Sequence, residues 1–542
     1  MKMAKSTILL RQSLLPSRRH ITSTSPRRSS TSPQRMKPAV APAAAVSLKP
    51  FTDIPGPIAL PVLRHSAHVL PRIGNFHHSV GLGLLEGLRD RYGDLVRLAK
   101  ASRTRPVLYV FDPELMREVY DSGVTEPPRW DRSPLNHHRK GRSDCTFQGD
   151  ESKAVWVAIK ALLQDSSLLQ RYNQVFDDIA GDATRRLGEL RHAENALNEE
   201  LETEVYRWAL ETIGVMIFGI RLGCLDGMVH VPTPNSRSPE KTSLEDDDVP
   251  EQCSLSKRGL EGLNLAEKLI RCSIKITDSN YLVRSEGTLR TDSQVFNDAL
   301  KLIDDHYRFT EHFLGKALSA LDSGQVMPEQ ALLDRLRPLN GRILPLASDM
   351  LLAGTEPLAH TALSMFFHLS LHPAQQQRAH DQVIWATESK QAGLESPELS
   401  YISACAKEAL RMHPVTGGVV RRSKQELEVG GYEIPAGVDI VLAHGITSKS
   451  EKEWGRSKAF IPERWCQEGW EPIKASKAHP LASLPFGESC PATGIVGKML
   501  ESLATRVLDK YRLEWHGPQP KITTSGINKL QKPYYFVLQN AA

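Results

Sequence analysis

The stretch YISACAKEALRMHPV, Tyr401–Val415, decides how this chain folds. It reads as helical, and Pro414, which cannot continue a helix, ends it. Glu408 and Arg411 stand three apart, so they share a helix face and can pair. Alone, such a pair is usually a solvated surface contact. The downstream run FIPERW, Phe460–Trp465, changes its weight. Arg464 can join the same carboxylate and lock an irregular segment in place.

Working outward, helical periodicity dominates from about Lys153 onward, in VWVAIKALLQ, NEELETEVYRWALETIGVMIFG, NDALKLIDDHYRFTEHFLGKALSAL and LPLASDMLLAG. Strand-like runs precede it: DLVRLAK around Val96, and PVLYVFD around Leu108, the latter stopped by Asp112-Pro113. Near the C-terminus, VVRRSKQELEVGGYEIPAGVDIVLA reads as a small hairpin system. Between Gly227 and Leu260 lies a polar insertion without apolar period, read as a mobile surface loop or linker. The expected fold class is mostly α with small β-sheets, in one domain over residues 51–542 rather than an alternating βαβ pattern.

Composition narrows the function. Hydrophobic residues make up 40% and charged residues 24%, ordinary globular usage. The net charge of +5 is unevenly spread: ten of the 68 basic residues precede Asp53, the first acid. The remainder, 58 basic against 63 acidic, is mildly acidic, so no nucleic-acid partner is expected. Seven scattered cysteines without a C-x-x-C pair argue against a disulfide framework and a zinc site. Residues 1–45 are rich in Arg and Ser, lack acids and open with a short amphipathic stretch. This is the composition of a mitochondrial transit peptide followed by a linker.

The order KEALRMHP, GGYEIPAG, PERW, then PFG with a following cysteine resembles the C-terminal half of the cytochromes P450. The likeness extends backward. DMLLAGTEPLAHTALSMFFHLSLHP, ending at Pro373, looks like the family's long helix over the haem, and Trp156 with Lys160 looks like its propionate-contacting helix. Arg91-Tyr92-Gly93 and Asp112-Pro113-Glu114 look like its first sheet. HPLASLPFG and the transit segment resemble the mitochondrial branch, whose members hydroxylate steroids, sterols or secosteroids.

The resemblance implies a single haem-binding domain with haem b held by a cysteine thiolate, and Cys490 is the candidate ligand. A thiolate pushes electron density onto the iron and favours O–O cleavage. Against the family pattern F-x-x-G-x-R-x-C-x-G, the segment from Phe486 to Cys490 is three residues short and lacks the arginine that usually holds a propionate. A second register, in which Gly497-Lys498-Met499-Leu500 follows the ligand, would put Ile495 at the iron, and Ile cannot coordinate it. Propionate anchoring then falls to Trp156, Lys160 and Arg421, with Phe486 in the cofactor loop.

For oxygen activation the family places an acid and an alcohol where the helix opens. Here Gly354, Thr355 and Glu356 are followed by Pro357 in place of the alcohol, with Thr361 about one turn further on. The implied reaction is hydroxylation of a lipophilic substrate with dioxygen. Electrons come from an adrenodoxin-like mitochondrial ferredoxin with its reductase, on the matrix side of the inner membrane with peripheral membrane association. Lys407 is either part of the ferredoxin surface or a solvated lysine. Two other readings stay open: an isomerase or dehydratase of lipid peroxides, and a haem-poor pseudoenzyme or lipid-binding protein.

Overall fold

The computed structural model describes residues 48–57, 81–98, 105–124, 134–140, 157, 159–191, 195–197, 200–226, 265–285, 293–324, 331–336, 342–392, 400–467, 471–487, 490 and 492–541. The expected transit segment, the 227–260 insertion and Trp156 lie outside them. Residues Leu48–Ala542 form one compact unit.

The principal helices are α1 (Gly81–Tyr92), α2 (Pro113–Asp121), α3 (Ser166–Glu189), α4 (Glu200–Phe218), α5 (Leu265–Ser285), α6 (Gln294–Asp322), α7 (Ile343–Leu371), α8 (Pro373–Gln391), α9 (Ser400–Met412) and α10 (Thr493–Lys510). Helix α7 has 29 residues, about 43 Å at 1.5 Å per residue. It is apolar on nearly every side, and such a helix is stable only when surrounded. Helices α4, α6 and α9 pack around it, and every residue from Leu358 to Ser370 is buried. Phe218, Phe366 and Phe367 are fully buried in this core, each contributing about 1.5–3 kcal/mol relative to exposure. The helix continues unbroken through Pro357.

The strands form small sheets. β2 (Leu95–Leu98) and β3 (Val107–Val110), the two strand-like runs, pair antiparallel. Asp112 then turns the chain into α2: its carboxylate accepts from the amides of Glu114 at 2.9 Å and Leu115 at 3.3 Å, with Pro113 at the first helical position.

The expected C-terminal hairpin system divides between two sheets. β6 (Leu427–Val429) and β7 (Tyr432–Ile434) form a hairpin over Gly430 and Gly431, whose φ angles of +59° and +76° suit the tight turn. That hairpin pairs with β1 (Lys49–Pro50). β5 (Val419–Arg422) instead pairs with β8 (Asp439–Leu442), which lies parallel to β3. Ile440 and Leu442 are fully buried, so β8 is an interior strand with partners on both edges.

Behind these, β9 (Tyr511–Trp515) pairs with β12 (Phe536–Asn540), which also takes the short β4 (Ala196–Leu197). β10 (Ile522–Ser525) and β11 (Ile527–Leu530) make a hairpin whose tip, Gly526, presses on α5. A Cβ there would sit 2.2 Å from the Thr277 methyl, and its φ is +73°, so only glycine fits. This contact brings Ser525 and Lys529 against α5 and α7.

Candidate functional site

Glu408, Arg411 and Arg464 meet in the interior with no side-chain exposure. Arg411 donates to Glu408 through Nε at 2.9 Å and Nη2 at 2.8 Å, and Arg464 donates through Nε at 3.1 Å. Two further donors escaped sequence reasoning: the Trp465 indole at 3.0 Å and the Ile461 amide at 3.1 Å. The guanidinium hydrogens left over reach the carbonyls of Ser448, Ala459, Ile473 and Arg456. One carboxylate thus ties α9 to the irregular segment at Pro462–Trp465, shared between two guanidinium groups whose remaining hydrogens are satisfied by carbonyls.

That segment leads toward Cys490, a free, half-buried thiol just ahead of α10. Burial raises its pKa, while the backbone amide of Ala492 and the positive charge of Lys160 pull it the other way. The amide and the N-terminal end of α10 offer an anion-stabilising surface of the kind a thiolate needs. Phe486 is half-buried in the turn that ends at Gly487, where φ is +62°.

Helix α10 packs against α7, whose middle has two contrasting faces. Leu351, Thr355 and Glu356 are buried. Ala353 is exposed, and Gly354 and Pro357 are only partly covered. On α10, Thr493 and Gly494 are likewise exposed, and among the described residues an added Cβ at Gly494 or Gly497 would meet no atom within 4 Å. Small residues that leave a face open in this way leave room for a flat macrocycle.

Two cations stand in this part of the fold. Lys160 lies close enough to act on Cys490. Arg421 is buried, with its guanidinium 5.4 Å from the Tyr120 ring centroid. Tyr120 in turn hydrogen-bonds His444 Nε2 at 2.9 Å, and burial pulls that imidazole down to about 4. Lys407, beside the clamp, is exposed.

The acid of α7 does not face the open side. Glu356 is 1% exposed and its Oε1 ion-pairs with Lys529 of β11. The same oxygen accepts from the Tyr206 hydroxyl at 3.3 Å, and Tyr206 also contacts His360 Nε2 at 3.0 Å. Burial raises the Glu356 pKa, partly opposed by Lys529. The Thr355 hydroxyl is buried without a hydrogen-bond partner among the described residues, whereas Thr361 donates to the Pro357 carbonyl at 2.7 Å. Tyr206, His360 and Lys529 were not anticipated. The i,i+4 pairs Glu202/Tyr206 and Glu356/His360 were the available signal.

Comparison with known proteins places this geometry in context. The cytochrome P450 family model matches residues 288–538. The probable cytochrome P450 49a1 of Drosophila melanogaster is 24% identical, over 96% of this chain and 88% of its own length. The mitochondrial probable cytochrome P450 301a1 of the same fly is 25% identical, over 86% and 83%. The human mitochondrial 25-hydroxyvitamin D-1 alpha hydroxylase is 26% identical, over 78% and 80%.

Proposed function

The chain belongs to the cytochrome P450 family of monooxygenases, and from that premise we propose a mitochondrial hydroxylase of a steroid, sterol or secosteroid that works on the matrix side of the inner membrane. The observation that carries the reading is Cys490: a half-buried thiol beside the Lys160 charge and the Ala492 amide, just ahead of the helix α10 that packs against α7. A bound cysteine-ligated haem would supply the oxygen chemistry, in which dioxygen, two electrons and two protons yield one oxygen atom inserted into a C–H bond and one molecule of water.

The chain's own residues do the holding. Cys490 binds the iron, and Lys160, Arg421 and Trp156 take the propionates. This division of work follows from the missing loop arginine. Phe486 covers the ligand loop, and the Glu408–Arg411–Arg464 clamp fixes the segment leading to it. Gly354 keeps the α7 face low, and Thr355, Glu356 and Thr361 are the α7 groups that take part in supplying protons.

Lys407 is exposed and next to the clamp, which suits a contact with an acidic ferredoxin. The relative that acts on a hydroxylated vitamin D supports a secosteroid-like substrate. The mitochondrial relatives and the acid-free N-terminal segment support the compartment.

Reconstitution tests the reading. Purified holoenzyme is incubated with a panel of sterols and secosteroids, NADPH, a mitochondrial ferredoxin and its reductase. The expected product gains one oxygen atom and forms only when both electron carriers and dioxygen are present. The proline at position 357 favours one other outcome, turnover of lipid hydroperoxides without electrons. Finding that activity alone would replace the monooxygenase assignment with an isomerase or dehydratase.

A further inference from the structure

Helices α4 and α7 each present an i,i+4 pair to the other: Glu202 and Tyr206 from α4, His360 and Glu356 from α7. The four side chains form a continuous series. Lys532, whose side chain is 43% exposed, ion-pairs with Glu202, which is 16% exposed. Glu202 Oε1 lies 4.0 Å from His360 Nε2 and also accepts from Tyr534 at 3.1 Å. His360 Nε2 lies 3.0 Å from the Tyr206 hydroxyl, which donates to Glu356 Oε1 at 3.3 Å. Exposure falls along the series to 3% at His360, 4% at Tyr206 and 1% at Glu356.

An apolar helix interface carries such groups at a cost unless they are used or fully satisfied. These are not fully satisfied: Glu356 Oε2 and His360 Nδ1 are buried and have no hydrogen-bond partner among the described residues. Pro357, the next residue after Glu356, has no side-chain hydroxyl to carry a proton.

We propose that Glu202, His360 and Tyr206 are the proton-delivery residues of this enzyme, carrying protons from the surface at Lys532 to Glu356 on the buried side of α7. The inference deepens the monooxygenase reading and rests on it. In each pass Glu202 gives a proton to His360 Nε2, in the tautomer whose other hydrogen is on Nδ1. The imidazolium hands a proton from Nε2 to the Tyr206 oxygen as Tyr206 passes its own hydrogen to Glu356. Glu202 is reprotonated from solvent. One proton moves inward, and only O–H and N–H bonds are exchanged.

The surroundings agree with transfer rather than storage. Burial, with Lys529 and Lys532 nearby, pulls His360 down to about 3, so it returns a proton at once. Glu356 is raised by burial despite Lys529, so its carboxyl accepts a proton readily. Lys529, also 3.5 Å from Asp278 on α5, holds the Glu356 side chain in place.

The test uses holoenzyme with NADPH, ferredoxin and reductase but no organic substrate, after a carbon-monoxide spectrum on every sample. Without protons delivered at the right oxygen, reduced dioxygen leaves as hydrogen peroxide instead of water. Tyr206→Phe and His360→Gln are expected to raise peroxide recovered per NADPH by roughly tenfold and to abolish the slowing of the water-forming flux in D2O. A second readout is independent of turnover. The infrared carboxyl band that disappears in Glu356→Gln should shift in Tyr206→Phe. Wild-type peroxide yield and isotope effect in both variants, with intact carbon-monoxide spectra, overturn the relay alone. A wild-type protein without the thiolate-type band overturns the monooxygenase reading and the relay with it.

Discussion

Glu408→Gln replaces the carboxylate of the clamp with a group of the same size and no charge. Five donors converge on Glu408, three of them from two guanidinium groups with no exposure to solvent. Glutamine retains one acceptor oxygen but turns an amide NH2 toward donors, and it leaves two buried cations without an anion. Removing one partner from a buried pair costs about 3–5 kcal/mol, and two stranded cations put this site at the upper end. Unfolding entropy of about 2.1 cal/mol/K per residue gives roughly 1 kcal/mol/K for a folded part of about 500 residues. The expected loss is therefore about 5 °C in melting midpoint. Circular dichroism at one scan rate for both proteins measures it, because large chains often unfold irreversibly. Lys407→Gln, one residue away and exposed, should change the midpoint by less than about 1 °C. A Glu408→Gln midpoint equally close to wild type would refute the reasoning that this carboxylate holds α9 to the following segment.

Arg421→Ala removes a buried cation proposed to meet a haem propionate. Losing a charge-assisted hydrogen bond of about 1.5–3 kcal/mol should speed haem transfer to an apoglobin acceptor roughly 10- to 100-fold, and an unchanged transfer rate would count against that role. Stability should also fall as pH drops below about 6.5. Burial pulls His306 and His360 down to about 3 and His444 to about 4, all below the unfolded value near 6.5. Across the window between those folded values and 6.5 the unfolded chain binds more protons, so stability rises with pH. Each histidine contributes up to about 1.4 kcal/mol per pH unit near pH 5. Melting midpoints from pH 7 to about 4.5 measure the slope, and a flat profile would contradict the buried neutral imidazoles.

Much of the architecture was readable because its signals are local. The apolar run of α7, the Asp112-Pro113 cap and the paired glycines at 430–431 each dictate their own geometry. Glu408 and Arg464 could be linked because a buried ion must find its partner, however distant in the chain. Strand partnership was less legible: β5 and β8 pair because β8 is interior, a fact of burial that alternation alone does not reveal. The polar group behind Glu356 was also hidden. Tyr206 and Lys529 reach it from α4 and β11, and only the packing of those elements joins residues so far apart in sequence.

The account's central claim is that the sulfur of Cys490 is the iron ligand despite the shortened loop before it. Reduced, carbon-monoxide-treated holoprotein lacking roughly its first 45 residues should show a thiolate-type absorption band. That band should vanish in Cys490→Ala and persist in Cys466→Ala. A nitrogen-ligated spectrum, or an unchanged band in Cys490→Ala, would contradict it.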